Sequence, residues 1–217
     1  MGVLHTVNVG DRRPIAAKSG STGIDKRPVD GPVVVRAPEP GGSGLAGDTI
    51  CDVRHHGGAD QAVYAYARED LDGWEPTLGP LPSGTFGENL TTRGVDVTGA
   101  VIGERWRVGT DLVLQVTTPR VPCRTFATWL DRRGWVRAFT EAARPGAYLR
   151  VVESGEVRAG DPVTVVDRPA HGVTIGTAFR AFTTAPDLLP LLAAVDELPA
   201  AARELVARRT PLRLDDA

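Results

Sequence analysis

The sequence predicts a mainly β protein with helical insertions: a barrel-like β core followed by a small appendage of three helices. Three observations predict it. Short strand-like runs recur at irregular spacing, broken by turn chemistry that draws on 25 glycines and 17 prolines in 217 residues. Those strands do not alternate regularly with helices, which favours a barrel over a βαβ sheet. Beyond Pro169 the composition shifts to alanine and leucine at helix-compatible spacing.

Taken in order, residues 3–9 alternate apolar and polar side chains and stop at Gly10-Asp11, the pattern of a core strand with one buried face. Residues 12–31 are polar and punctuated, with Lys18, Ser19, Ser21, Thr22, Gly23, Lys26 and Arg27 close together, and read as a long loop rich in hydrogen-bond donors. Residues 32–36 form a second strand, followed by turn chemistry over 38–44. The pair Gly57-Gly58 marks a turn that lets backbone amides approach a ligand, and residues 62–66 read as the strand leaving it. A short helix fits 68–74, ending before Pro76. Residues 86–92 look short, polar and turn-like, and 101–108 with 112–116 look like a strand pair around Gly109. Phe126, Trp129, Leu130, Trp135, Val136, Phe139 and Ala142 recur at helical spacing on either side of Gly134. Strands return at 148–152 and 162–166. Residues 174–182, 186–195 and 199–208 read as three short helices, and 211–217 as a frayed tail.

Composition narrows the function classes. The formal charge of −2 with acidic and basic residues in near balance gives no general affinity for nucleic acid polymer or anionic membrane, so any anion site must be a local cluster. No apolar run approaches the roughly 20 residues that a spanning helix needs. Two cysteines, Cys51 and Cys123, are too few for a disulfide scaffold, and the opening residues lack the basic-then-apolar run of a signal peptide. A cytoplasmic protein with reduced thiols is expected.

The densest chemistry lies in Thr117-Thr118-Pro119-Arg120-Val121-Pro122-Cys123-Arg124. Pro119 and Pro122 stiffen the segment against helix, so Cys123 is presented at a defined place. Arg120 and Arg124 favour its thiolate, the form that attacks electrophiles and binds soft metals. Taken alone, the loop favours a small buried thiol, which is what most free cysteines are. Cys51, beside Ile50 in a strand-like run, is expected to be buried and inert. His55-His56 near Cys51 and Asp52 suggest zinc, but adjacent histidines point different ways and no second ligand pair has the usual spacing.

Four segments together resemble the MOSC family, named for the C-terminal domain of molybdenum-cofactor sulfurase, and in particular its small bacterial YiiM-type branch. They are Thr22-Gly23-Ile24-Asp25-Lys26, Asp52-x-x-x-His56-Gly57-Gly58-x-Asp60-Gln61-Ala62-Val63-Tyr64-Ala65-Tyr66, Phe86-Gly87-Glu88-Asn89-Leu90-Thr91 and Pro119-Arg120-x-Pro122-Cys123. Each is short, but four in register are specific. The resemblance implies a MOSC-type β-barrel over 1–167 and a three-helix segment over 168–217. It implies a molybdopterin-type molybdenum cofactor with Cys123 as metal ligand and catalytic centre. The cofactor's phosphate and ring would fall to Lys26, Thr22, His56, Gly57, Gly58, Asn89, Thr91, Arg120 and Arg124, with Lys26 and Arg120 foremost. Gln61 stands where many YiiM-type sequences carry lysine, which removes a charge there.

The implied reaction is reduction of N-hydroxylated compounds, such as hydroxylaminopurine-type base analogues, to amines. The chain shows neither a nucleotide fingerprint nor an iron–sulfur cysteine set, so a separate flavin or iron–sulfur reductase is expected as electron donor. The tail is a candidate surface for homodimer pairing or for docking that reductase. Two other readings stay open: a non-catalytic carrier of the cofactor or its sulfur, and a thiol enzyme with Cys123 as nucleophile, for which the four histidines offer no assignable base. Asp52 and His56 brace the glycine turn, and His56 is a lesser candidate for cofactor contact. Glu88 and Asn89 either orient a pterin edge or satisfy a tight turn. Tyr64, Tyr66, Trp129 and Trp135 read as packing.

Overall fold

A computed structural model describes residues 2–17, 19–212 and 214; Lys18 and the last three residues of the expected tail lie outside them. Strand β1 (Gly2–Gly10) is the longest, and its inward residues Leu4 and Val7 are fully buried. The segment expected to be a loop holds three short strands, β2 (Arg13–Pro14), β3 (Ser21–Thr22) and β4 (Lys26–Pro28). Strand β4 exists because the end of β1 offers it a ladder, Gly10 opposite Lys26 and Asn8 opposite Pro28; three polar residues carry no periodicity that would announce it. Strand β5 (Val33–Val35) pairs with β11 (Gly155–Val157) outside the main sheet.

The glycine turn leads through a 3-10 turn (Ala59–Gln61) into β6 (Val63–Ala67), whose five residues are all buried. Helix α1 (Arg68–Asp72) ends before Pro76 as expected, and a second short helix, α2 (Glu75–Leu78), takes that proline into its first turn, where its missing N–H costs nothing. Residues 86–92 are not turn alone. Leu90–Arg93 is strand β7, parallel to β6 and antiparallel to β1, and the β-branched Thr91 and Thr92 are buried within the barrel wall. Strand β8 (Arg105–Val108) is shorter than expected because 101–104 turn away, Val101 bridging to Thr174. Strand β9 (Leu112–Pro119) runs past Val116 to the proline, held by β8 on one side and β10 (Ala147–Glu153) on the other. Helices α3 (Arg124–Trp129) and α4 (Trp135–Ala142) lie between β9 and β10, and β12 (Pro162–Asp167) pairs with both β8 and β1.

That last pairing closes the sheet: the order β12-β8-β9-β10-β6-β7-β1 returns to β12, a closed barrel of seven strands with β4 added at the end of β1. Closure removes the open edges that a flat sheet would expose. The C-terminal segment holds α5 (Ile175–Phe182), a 3-10 stretch (Pro186–Ala194) and α6 (Ala200–Ala207). Thr174 caps α5 by accepting the Thr177 N–H at 3.1 Å. The middle element is 3-10 and not α, since Pro190 inside it removes a donor that an α-helix would need. The tail is docked as far as it is described: the Leu212 amide donates to Phe182 O at 2.8 Å and Leu214 packs on buried aromatics.

Two apolar clusters organise the interior. One is aliphatic, filling the barrel and continuing without a break into Leu189, Leu192, Val195, Leu198 and Val206 of the C-terminal segment. The other is aromatic and centres on Phe86, which meets Tyr66, Phe126 and Trp135 edge to face at centroid distances of 5.2, 5.0 and 5.5 Å. Among the described residues no helix is long and apolar enough to cross a membrane.

Candidate functional site

An open cleft lies beside the aromatic cluster, lined by β3, β4, the glycine turn, β6 and the loop after β9. It gathers Thr22, Lys26, His56, Gly57, Asn89, Arg120 and Cys123, which lie up to about a hundred residues apart in sequence. Arg124 is exposed and outside it, Thr91 is buried behind it in a bond to Glu88, and Gly58 spends its amide on Gly42 O at 2.9 Å.

Lys26, 5% exposed, is not a free cation. Its Nζ pairs with Asp48, a residue to which the sequence pattern assigns no role. Asp48 is a hub: its carboxylate also accepts from Gly10 N at 2.9 Å, Ser43 Oγ at 2.6 Å and Asn89 Nδ2 at 2.9 Å. Burial pushes the Lys26 pKa down, and Asp48 opposes that. The only hint in the sequence was a carboxylate next to a glycine between two strand-like runs, which resembles any turn. Asn89 is likewise committed, its Oδ1 accepting the Tyr64 amide at 3.1 Å. Glu88 is a turn brace, accepting from the Phe86 amide at 3.1 Å and Thr91 Oγ1 at 2.9 Å, with its pKa raised by burial.

Arg120 differs. It is 4% exposed and lies over the rings of Phe126 and Tyr64, 4.3 and 5.0 Å from their centroids. It donates through one terminal nitrogen to Phe86 O, while its Nε is buried without a partner, and it forms no ion pair among the described residues. Burial disfavours its charge, but Tyr64, Tyr148 and Cys123 beside it outweigh that and its pKa lies above the ordinary value. A guanidinium keeps its charge in any case, so the cleft contains a buried, uncompensated cation. Beside it Gly87 turns the chain with φ 78°, where an added Cβ would stand 2.9 Å from Ile24 Cγ1.

Cys123 stands just before α3 in extended geometry and is half-buried on the cleft wall. Cys51 corrects the expectation of an inert buried thiol. Residues 49–51 are irregular loop and not strand, so Cys51 is half-buried and lines the same cleft. The two histidines diverge: His55 is exposed and bonds Asp52 at 3.0 Å, whereas His56 Nδ1 meets Tyr148 Oη at 2.8 Å. Burial first, then the Arg120 charge, pushes the His56 pKa down to about 4, so its imidazole is neutral at pH 7. Burial raises the Tyr148 pKa to about 12, so the phenol keeps its proton. Tyr148 is a cleft residue that the strand pattern gave no reason to single out, and Tyr64, read as core, reaches the cleft from β6 while its hydroxyl donates to Pro145 O at 2.8 Å. Gly57 turns the chain with φ 79°, where a Cβ would lie 2.8 Å from Gly42 O. Among the described residues no three His, Cys, Asp or Glu side chains gather as a metal site.

A barrel with a cysteine, a buried cation and a glycine turn on one cleft can be compared with known proteins. The family described as MOSC domain matches residues 52–164. This chain belongs to the MOSC domain family. Its relatives agree: an uncharacterized YflK protein of Bacillus subtilis is 34% identical over 75% of this chain and 72% of its own length. Protein YiiM of Escherichia coli is 30% identical over 58% of this chain and 57% of its own. A protein of Gibberella moniliformis named Reductase is 30% identical over 91% of this MOSC chain, which spans 35% of that longer protein. The crystal structure of YiiM from Geobacillus stearothermophilus superposes with a TM-score of 0.78 at 27% identity, covering 96% of this chain and 99% of that one. The matched region holds His56, Arg120 and Cys123, while Lys26 and its partner Asp48 precede it.

Proposed function

We propose that this MOSC protein is a molybdenum-cofactor-dependent reductase that converts N-hydroxylated compounds, hydroxylaminopurine-type base analogues among them, to the amine. The observation that carries the reading is Arg120, a buried guanidinium with an unmatched Nε on the same cleft as the half-buried Cys123 thiol. A ligand bearing both an anionic group and a soft metal suits that pair. When bound, a molybdopterin-type cofactor supplies a two-electron centre able to accept oxygen from nitrogen.

The chain's own residues have separate tasks. Cys123 furnishes the protein thiolate to the metal. Arg120 and the Thr22 hydroxyl hold the phosphate, while Lys26 and Asn89, fixed by Asp48, shape the opposite wall. The neutral His56, hydrogen-bonded to Tyr148, holds a proton at the cleft without adding charge beside Arg120. The overall change is R–NHOH plus two electrons and two protons giving R–NH2 and water. The electrons come from a separate flavin or iron–sulfur reductase, and a small molecule in the cytoplasm is the substrate. That a relative is named Reductase supports the class of reaction.

The test is metal and pterin analysis of protein made in a cofactor-competent host, followed by turnover of an N-hydroxylated purine with a supplied electron donor. Bound molybdenum, and turnover lost in Cys123→Ala, are expected. Protein free of molybdenum, or a Cys123→Ala variant of undiminished activity, sinks the proposal. Bound cofactor without turnover under any donor replaces it with a carrier role.

A further inference from the structure

Of the side chains lining the cleft, two leave a buried polar atom without a partner: Arg120 through Nε and Gln61 through Oε1. The second has no place in the assignment above. Its backbone is held firmly. The Gln61 amide donates to Gly58 O at 3.1 Å, Thr117 Oγ1 donates to the neighbouring Asp60 carbonyl at 2.6 Å, and Arg150 Nη2 pairs with the Asp60 carboxylate at 2.8 Å. The head group is the opposite. Among the described residues neither end of the Gln61 side-chain amide has a hydrogen-bond partner. By contrast Asn89, Lys26, His56 and Tyr64 on the same cleft are all engaged with protein groups.

A buried acceptor without a donor is unfavourable, and a rigid backbone carrying an uncommitted head suits recognition better than packing. The terminal torsion of glutamine is broad, so a ligand can set which way the amide faces. An amide presents one acceptor beside one donor, and it matches an edge with a donor beside an acceptor, as glutamine matches the exocyclic N–H and ring nitrogen of adenine. A hydroxylamino group on a purine keeps that N–H next to the ring nitrogen.

We propose that Gln61 is the specificity-determining residue of the cleft, reading a heteroaromatic ring that carries an exocyclic amine or hydroxylamine beside a ring nitrogen. This rests on the reductase reading for its substrate, but it is a statement about binding and can be tested without turnover. Calorimetry on the purified holoprotein with adenine, purine and 6-methoxypurine reads it directly. Adenine offers the full edge, purine lacks the exocyclic donor, and 6-methoxypurine replaces that donor by a second acceptor. Adenine is expected to bind about tenfold more tightly than either, with that preference lost in Gln61→Leu and in Gln61→Met, which keeps the length but loses both donor and acceptor. Molybdenum content and thermal midpoint stay at the wild-type values. In turnover, Gln61→Leu raises KM for the hydroxylaminopurine about tenfold with little change in kcat, and leaves a small aliphatic hydroxylamine unaffected. Equal binding of the three bases by the wild-type protein, or an unchanged preference in both variants, overturns the assignment. Loss of molybdenum from both variants also overturns it, by making Gln61 part of the cofactor's seat. A molybdenum-loaded, active enzyme indifferent to Gln61 refutes only this inference. Gln61-dependent adenine binding by protein that lacks molybdenum refutes only the reductase reading.

Discussion

The two walls of the cleft each contain a buried cation, and they treat it oppositely. On the β4 wall Lys26 is tied to Asp48, which is tied in turn to Ser43, Asn89 and the Gly10 amide, so the charges cancel and nearly every polar atom is matched. On the β9 wall Arg120 has two aromatic faces and a carbonyl but no counter-ion among the described residues, and it stands near a thiol and a neutral imidazole. A closed network of the first kind holds shape; an open one of the second kind stores an electrostatic cost that an anionic ligand removes. Buried charge alone therefore does not separate the two walls. The missing partner does.

The comparison predicts a graded series. The largest effect belongs to Arg120→Met, which keeps the stacked bulk but removes the cation: molybdenum and pterin content measured on purified protein should fall at least tenfold. Content equal to wild type would show that the open wall is not the anion seat. Asp48→Asn should act on stability, leaving the buried Lys26 ammonium unpaired at a cost of about 3–5 kcal/mol in urea denaturation. Lys26→Met combined with Asp48→Asn should recover most of that loss, since a removed pair costs far less than a broken one. A double variant as unstable as the single would mean that Asp48 acts through Gly10 and Ser43 instead.

A smaller effect is expected from pH. His56 is held below its ordinary pKa, at about 4, so the unfolded chain binds its proton more readily than the folded one. Its contribution is fully present above pH 6.5 and is lost as pH falls toward 4, by about 3 kcal/mol at most. His56→Gln should flatten that part of the stability profile, and an unchanged slope would assign it to carboxylates. Least affected should be Arg124→Gln. The side chain is exposed and outside the cleft, so cofactor content should stay within twofold and stability within about 0.5 kcal/mol.

The same contrast separates what could be read early from what could not. Alternation in 3–9, the β-branched run 112–116 and the alanine-rich end marked a β core with helical additions, because each is a local periodicity. Residues 86–92 read as turn and 12–31 as loop in sequence, yet the strands Leu90–Arg93 and Lys26–Pro28 form there, since strands of three or four residues owe their form to the neighbour they pair with. The cysteine loop and the glycine turn were legible because proline and glycine constrain the backbone wherever they occur.

What the sequence alone determined, then, is the barrel class, the family and the stretch that presents Cys123, all properties of local pattern or of short motifs in register. Only the tertiary structure decided that Lys26 is neutralised by Asp48, that Arg124 faces solvent, that Cys51 and Tyr148 reach the cleft, and that the Gln61 side chain has no partner among the described residues. Those facts depend on which side chains meet across the closed barrel. Pairing and its absence are relations between residues dozens of positions apart, and no single stretch of the chain carries them.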